Sequence, residues 1–271
     1  MAIRADEAVA DRGRVVPVGA SVRPRRASLA MRREGRLAYA LLTPTLLVIL
    51  FLVAYPFFTA IVMSLQNKMV GSPGRWIGLA NYTELFQDEV FLRTAWNSVV
   101  YTVVAVALKF VLGLTMALIL DQERRFNNFF RTLLFVPWAV PIVIVSLNWR
   151  WIYDDLSGFL NNFLITFHLT SNIISWLSDP GLAMACVIAV VVWAGTPLYS
   201  MTFLAGLQAI PRELYEAAEI DGASAWGRFR HVTVPMISPT IFFNLVLGII
   251  GALKVFSLAF VATQGGPFWA T

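Results

Sequence analysis

The sequence predicts an all-α fold, a polytopic bundle of transmembrane helices. Three observations predict it. Hydrophobic residues make up 58% of the chain and charged residues only 14%, where a soluble domain has about 45–50% and about 25%. The apolar residues fall into five runs, each long enough to cross a bilayer. The stretches between those runs alternate in basic charge, the pattern that orients spans in a membrane. This balance excludes a disordered chain, a fibrous protein and an ordinary cytosolic enzyme.

The elements follow in chain order. Residues 1–36 carry nine arginines, Arg4, Arg12, Arg14, Arg23, Arg25, Arg26, Arg32, Arg33 and Arg36, and four acids. With no apolar period and several Gly and Pro residues, this segment reads as a disordered basic tail on the cytoplasmic side. The run after it is too long for a signal-peptide core and lacks a small-residue cleavage site. A basic arm could also bind nucleic acid, but a positive-inside anchor explains it without such a partner, and none is expected. The spans are expected at Leu37–Leu65, Asn97–Leu120, Thr132–Ile152, Leu182–Leu204 and Ile237–Ala262. Arg124, Arg125 and Arg131 crowd the second connection, and Arg212, Arg228 and Arg230 lie in the fourth. The third connection, 153–181, has three aspartates and no Lys or Arg. The N-terminus is therefore expected inside, with the first and third connections outside. The remaining chain, 37–271, reads as one membrane domain.

The fourth connection is the part that reads as a device. Pro211 suits the start of a helix. Leu214, Glu216, Ala217, Ala218 and Glu219 follow as a short helix, with Leu214, Ala217 and Ala218 on one face. Gly222 is placed to end it, and Ser224 to cap a second helix carrying Trp226 and Phe229. The expectation is a helix–turn–helix at the cytoplasmic surface. A bland alternative is an amphipathic hairpin that only packs on its own bundle.

Glu216-Ala217-Ala218, three residues, Gly222, nine residues, then Val232-Thr233-Val234-Pro235 resembles the EAA loop of ABC importer permeases. Val232 and Val234 stand where that family's pattern has Ile and Leu. Trp176-Leu177-Ser178-Asp179-Pro180, Ala205-Gly206-Leu207-Gln208-Ala209-Ile210-Pro211 and Thr263-Gln264-Gly265-Gly266-Pro267 are similar to the carbohydrate-uptake branch, of the maltose and glycerol-3-phosphate permease type. The resemblance runs from about Leu37 to Pro267 and implies a type I ABC importer permease. Such permeases have a further span after the Gly-Gly-Pro, so a sixth span is expected beyond this sequence.

What the resemblance implies is a division of labour. The chain would pair with a second, homologous permease. Two ATP-binding cassette ATPase subunits would grip the EAA loops from the cytoplasm, and an extracytoplasmic substrate-binding protein would deliver a sugar-class solute. Glu216, Ala217, Ala218 and Gly222 become the ATPase-coupling residues. The chain holds no Gly-x-x-x-x-Gly-Lys-Ser/Thr phosphate cradle, so it is expected to be a transport subunit, not an enzyme, in the plasma membrane of a bacterium or archaeon. No cofactor or metal is expected: Cys186 is the one cysteine, and His168 and His231 the only histidines.

Three places could meet solute. Pro137 and Pro141 should bend the third span around Trp138, whose ring could stack on a sugar. Trp193–Tyr199 reads as a second proline break, around Pro197. Asn244, Gly248, Gly251, Ala252 and Val255 form a stripe on the fifth span, which could equally serve close helix packing. In the family, helices corresponding to these line the path, which makes Trp138, Gly195, Leu198, Gly251 and Val255 the candidate lining residues. Lys109 lies near mid-span and should find a carbonyl or an acid, on this chain or another; Lys254 is far enough along to snorkel. An ion-driven transporter would need acids inside its spans, and a membrane-embedded enzyme a His, Asp or Ser constellation at depth. Neither is present in the sequence.

Overall fold

In a computed structural model the described residues are 29–69, 71–122 and 127–266. Most of the basic tail, Arg124, Arg125 and Pro267 lie outside them. The chain divides into two compact units, one ending at Asn81 and one beginning at Tyr82. In the first, helices α1 (Leu29–Ile49) and α2 (Tyr55–Ser64) are joined by a single wide π-type turn, Leu50–Ala54. Together Gly35–Ser64 is long and apolar enough to span a membrane. Two short antiparallel strands follow, β1 (Gln66–Asn67) and β2 (Arg75–Trp76), with Gln66 opposite Trp76. The Asn81 side chain fastens this hairpin to the helix end by donating to the carbonyls of Ser64 and Gln66, at 2.8 and 3.1 Å.

The second unit begins in the short helix α3 (Ala80–Leu85), whose first two residues belong to the first unit. It continues with α4 (Glu89–Asp121), α5 (Asn127–Ala139), α6 (Ile142–Ile152), α7 (Phe159–Thr166) and α8 (Pro180–Gln208). Then come α9 (Arg212–Ile220), α10 (Ala225–Arg228), a π-type turn at Phe229–Thr233, α11 (Val234–Met236), α12 (Ser238–Leu253) and α13 (Phe256–Thr263). Aspartates start the two long helices. Asp88 accepts from the amides of Val90 and Phe91, and Asp179 from those of Gly181 and Leu182, which satisfies donors that a helix start leaves unpaired.

Helices α4 and α8 are the central pair. Ala105, Lys109, Gly113 and Ala117 repeat every four residues along the buried face of α4. Gly113 is needed there, because a Cβ would lie 2.6 Å from Tyr199 Cβ. About one turn away Phe110 meets Phe203 edge to face at 5.2 Å. Helix α12 joins through Asn244, Gly248 and Ala252. Gly248 lies under the Tyr199 hydroxyl, where no Cβ would fit, and Thr202 Oγ1 donates to Asn244 Oδ1 at 2.8 Å. Small residues admit close backbones, and one polar pair crosses between helices, as membrane bundles require.

The spans differ in detail from their expected form. The third is broken, α5 meeting α6 at 89°. Pro137 stays inside α5 and Pro141 forms the break. The break expected around Pro197 does not form, since α8 runs straight through it. The turn keeps a local bond because Thr196 Oγ1 donates to the Val192 carbonyl at 2.7 Å. The fifth span is interrupted at Lys254 and Val255, between α12 and α13. Its stripe splits, too: Asn244, Gly248 and Ala252 face inward while Gly251 is exposed. Lys254 is exposed, as snorkelling requires, whereas Lys109 is buried with its ammonium 5.6 Å above the centre of the Tyr199 ring. Among the described residues an aromatic face meets that charge.

The two π-type turns share a cause. Each ends two residues before a proline, Pro56 in one case and Pro235 in the other. A proline ring crowds the carbonyl four residues back and offers it no N–H, and widening the preceding turn relieves that crowding.

Candidate functional site

Two regions of the second unit carry polar groups in a built arrangement. The first is the α9–α10 hairpin. Helix α9 starts behind Pro211 and ends at Asp221, and Gly222 turns the chain with φ +80°. A Cβ there would meet nothing within 4 Å, so the glycine is needed for its left-handed backbone, not for space. Ser224 then caps α10 by accepting from the Gly227 amide at 3.2 Å. Arg228 and Glu219 pair across the turn at 2.9 Å; with the Glu219 side chain 72% exposed, this contact adds little energy. A firmer tie is the Tyr215 hydroxyl against Thr233 Oγ1 at 3.0 Å, which anchors α9 on the turn leading into α12. Trp226 stacks on Phe229 at 5.4 Å.

The hairpin's outer surface is left open. Glu216 and Ala217 are exposed and Ala218 half-buried. Around them Leu214, Ile220 and Trp226 expose apolar side chains, Ile220 to 87%. A carboxylate, two small side chains and an apolar rim on a rigid two-helix frame suit a protein partner that covers them.

The second region is a cavity of about 460 Å³ at the N-terminal end of α4. Thr94, Asn97, Ser98 and Tyr101 line it from one face of α4, in steps of three and four. Opposite stand Val255 at the helix break, Phe260 on α13 and Gln264. Thr94 and Ser98 donate to carbonyls of their own helix, at 2.8 and 2.9 Å, which leaves their oxygen lone pairs for other donors. The Tyr101 hydroxyl is buried with no hydrogen-bond partner among the described residues. Such an orphan loses about 1–3 kcal/mol unless water or a solute completes it. The break at Lys254–Val255 borders the same space, and irregular backbone is tolerated at membrane depth where it lines a wet cavity. On the far side, Gln264 and Gly265, both at positive φ, stop α13.

Residues 109–269 match the family described as "Binding-protein-dependent transport system inner membrane component". The chain belongs to this family. The permease is 35% identical to the trehalose/maltose transport system permease protein of Thermococcus litoralis, over 88% of this chain and 81% of that one. It is 32% identical to the sulfoquinovosyl glycerol transport system permease protein of Agrobacterium fabrum, over 87% and 76%. It is 33% identical to the lactose transport system permease protein of Rhizobium radiobacter, over 83% and 76%. Among solved structures it is similar to a bacterial ABC transporter involved in the import of the acidic polysaccharide alginate, with a TM-score of 0.74, 26% identity, and coverage of 88% of this chain and 80% of that one. The family and these relatives are transport permeases, not enzymes.

The permease's sequence-derived path residues do not lie together. Trp138 sits on α5, 46% exposed and 4.8 Å from the Phe135 ring. Gly195 packs against the Lys109 stem, where a Cβ would come within 2.9 Å. Leu198 is half-buried, and its carbonyl accepts from Thr202 Oγ1 at 3.0 Å. Gly251 faces open space. Val255 alone of the five lines the polar cavity. Of the α4 residues that build this cavity, Thr94, Asn97 and Ser98 escaped the sequence reading, and Tyr101, near a span end, reads from the sequence as a membrane-interface anchor, whereas it is buried and lines the cavity. The signal was present, however: Thr94, Asn97, Ser98 and Tyr101 are a polar stripe at helical spacing within and just before an apolar run.

Proposed function

We propose that this permease is one half of the membrane path of a sugar importer, and that it takes its motion from ATPase subunits through the α9–α10 hairpin. The hairpin's geometry carries the reading: a glycine turn at positive φ, a capped second helix, and an exposed Glu216-Ala217-Ala218 surface anchored to the start of α12. The relatives named for trehalose and maltose, lactose and sulfoquinovosyl glycerol support a carbohydrate as the solute. The family description supports an extracytoplasmic binding protein as the donor.

In this reading the N-terminus and hairpin are cytoplasmic, and the connection bearing α7 is outside. Glu216, Ala217, Ala218 and Gly222 meet an ATPase groove. Movement of that groove is passed by Tyr215 and Thr233 to the π-type turn and so to α12. A second permease completes the path. On this chain the cavity of Thr94, Asn97, Ser98, Tyr101 and Val255 lies towards the outside and offers hydroxyls and an amide to a polyol. Trp138, Leu198 and Gly251 would serve at the face shared with the second permease, while Gly195 lets the Lys109 stem pack between α4 and α8.

The experiment is growth of a strain lacking this permease on single carbon sources spanning mono-, di- and oligosaccharides, polyols and glycerol phosphate. Loss of growth on a carbohydrate, restored by the intact gene, is expected. Unchanged growth and uptake on every one of them would contradict the sugar reading.

A further inference from the structure

Helix α7 has no part in the sites above, yet it is built with care. Its inner face is locked by one residue. Asn161 is buried, its amide nitrogen donating to the carbonyls of Asp155 and Ile174 at 3.0 and 2.9 Å. Its amide oxygen accepts from the Ile174 amide at 3.3 Å and the Trp176 indole at 3.1 Å. Four bonds from one side chain fix both the height and the rotation of the helix. The opposite face is aromatic. Phe159, Phe163 and Phe167 recur every four residues, with ring centres 5.9 and 4.6 Å apart, and are 57%, 41% and 62% exposed. Aromatic side chains carry roughly 150–250 Å² each, so this is a contiguous apolar patch and not scattered surface residues.

The position of α7 says what covers that patch. Its start is held near the end of α6 by a tight turn. Asp154 Oδ1 accepts from the Ser157 amide and hydroxyl, both at 2.8 Å, and from the Leu156 amide at 3.2 Å. Its end is closed by His168 at φ +53°, with the Leu169 amide bonded to the Leu164 carbonyl at 2.9 Å, and the chain soon enters α8 at Pro180. Of the flanking elements, α8 is long and apolar enough to span a membrane, and α6 is the second half of the bent α5–α6 pair. Helix α6 also exposes apolar side chains, Leu147 and Trp151 among them. The connection has no Lys or Arg, and two of its three aspartates are used as caps.

We infer that α7 is an interfacial anchor whose Phe159–Phe163–Phe167 face is seated in the headgroup–acyl boundary of the bilayer. A short helix fixed on its inner side and tied to span ends sits near the membrane surface, where its exposed aromatic side chains favour the membrane–water interface. By stopping the outer end of α6 from sliding along the membrane normal, it holds the broken third span at constant depth. The inference rests on the chain spanning a membrane and is independent of which solute is carried.

The test is spin labelling of the full-length permease, assembled with its partner subunits, in nanodiscs of phosphatidylcholine and phosphatidylglycerol. Nitroxides are placed at Phe163→Cys and, as a water reference, at Ser171→Cys in the exposed part of the same connection. The native Cys186 is buried and is checked for labelling in the parent protein. Oxygen should relax the Phe163→Cys label more than a nickel chelate does, with the order reversed at Ser171→Cys. Phe159→Cys and Phe167→Cys read the same face if one variant fails to assemble. Free access of the nickel chelate to the aromatic face would overturn the inference. So would exclusion of both reagents from an immobilised label, which would mean that the second permease or the binding protein covers it.

Discussion

The α9–α10 hairpin and the polar cavity beside α4 are built by opposite means. Every feature of the hairpin comes from about 25 consecutive residues: a proline start, a glycine turn at φ +80°, a serine cap and an ion pair across the turn. The cavity is assembled from α4, α8, α12 and α13, residues up to 175 positions apart (Val90 to Gly265), and has no local motif. The contrast teaches where chemistry can hide. A surface that grips another protein can be written as one contiguous word, whereas a solute cavity in a bundle exists only after the helices have packed.

The comparison can be broken first at the hairpin, where the largest effects are expected. Glu216→Lys puts a positive charge where the proposed ATPase groove would receive a carboxylate. Truncating one member of a buried charge pair alone loses about 2–5 kcal/mol. The expected result is a normal membrane level with ATPase co-purification and uptake both lost, checked by affinity isolation and solute uptake. Gly222→Asp comes next. Any Cβ strains the left-handed backbone there by roughly 1–2 kcal/mol, and the charge adds to it. Gly222→Asn isolates the charge, because asparagine and aspartate tolerate this conformation alike, and should keep more uptake than Gly222→Asp. Equal uptake from both would show that the added charge is not what matters.

Effects at the cavity should be smaller and confined to solute handling. Tyr101→Phe removes one hydroxyl and keeps the ring, so a loss of about 0.5–1.5 kcal/mol is expected. It should appear as a raised KM for uptake with unchanged assembly. Trp138→Ala should lose a similar amount, on the order of 0.5–1.5 kcal/mol, if that ring stacks on the solute at the shared face. Unchanged uptake kinetics would return Trp138 to packing. The smallest effect is local. Hydrogen bonds from the Ser157 amide, the Ser157 hydroxyl and the Leu156 amide hold the Asp154 carboxyl below its usual value of 3.8. A depressed carboxyl supports the folded turn above its unfolded pKa and loses that support as pH falls through the folded one. The α6–α7 turn should therefore loosen only below about pH 3.8, read as faster exchange of the Ser157 amide in acid.

Much of the fold was legible in the residues, for physical reasons that also mark where legibility ended. Apolar length revealed the spans, and Pro211 announced a helix start. Gly222 and Ser224 gave the hairpin turn and cap, since both act on neighbours only a few residues away. Proline was less informative. Pro141 breaks the third span, yet Pro197 lies in an unbroken α8 that packs against α4. The partner of Lys109 could not be read, because it is the face of Tyr199, 90 positions later, and a cation over a ring leaves no sequence pattern. Of the proposed path residues only Val255 reaches the cavity, since helix periodicity says which residues share a face but not which neighbour that face meets.

The most direct test of the central claim is photo-crosslinking from the hairpin. A benzophenone maleimide attached at Ala217→Cys, with the transporter intact in native membranes, reports what lies within reach of the Glu216-Ala217-Ala218 surface. The account predicts a single major adduct whose mass is that of the permease plus one ATPase subunit, absent when the label is placed at Ser171→Cys instead. Adducts formed only with lipid, or only within the permease, would contradict it and leave the hairpin as a structural element of the bundle.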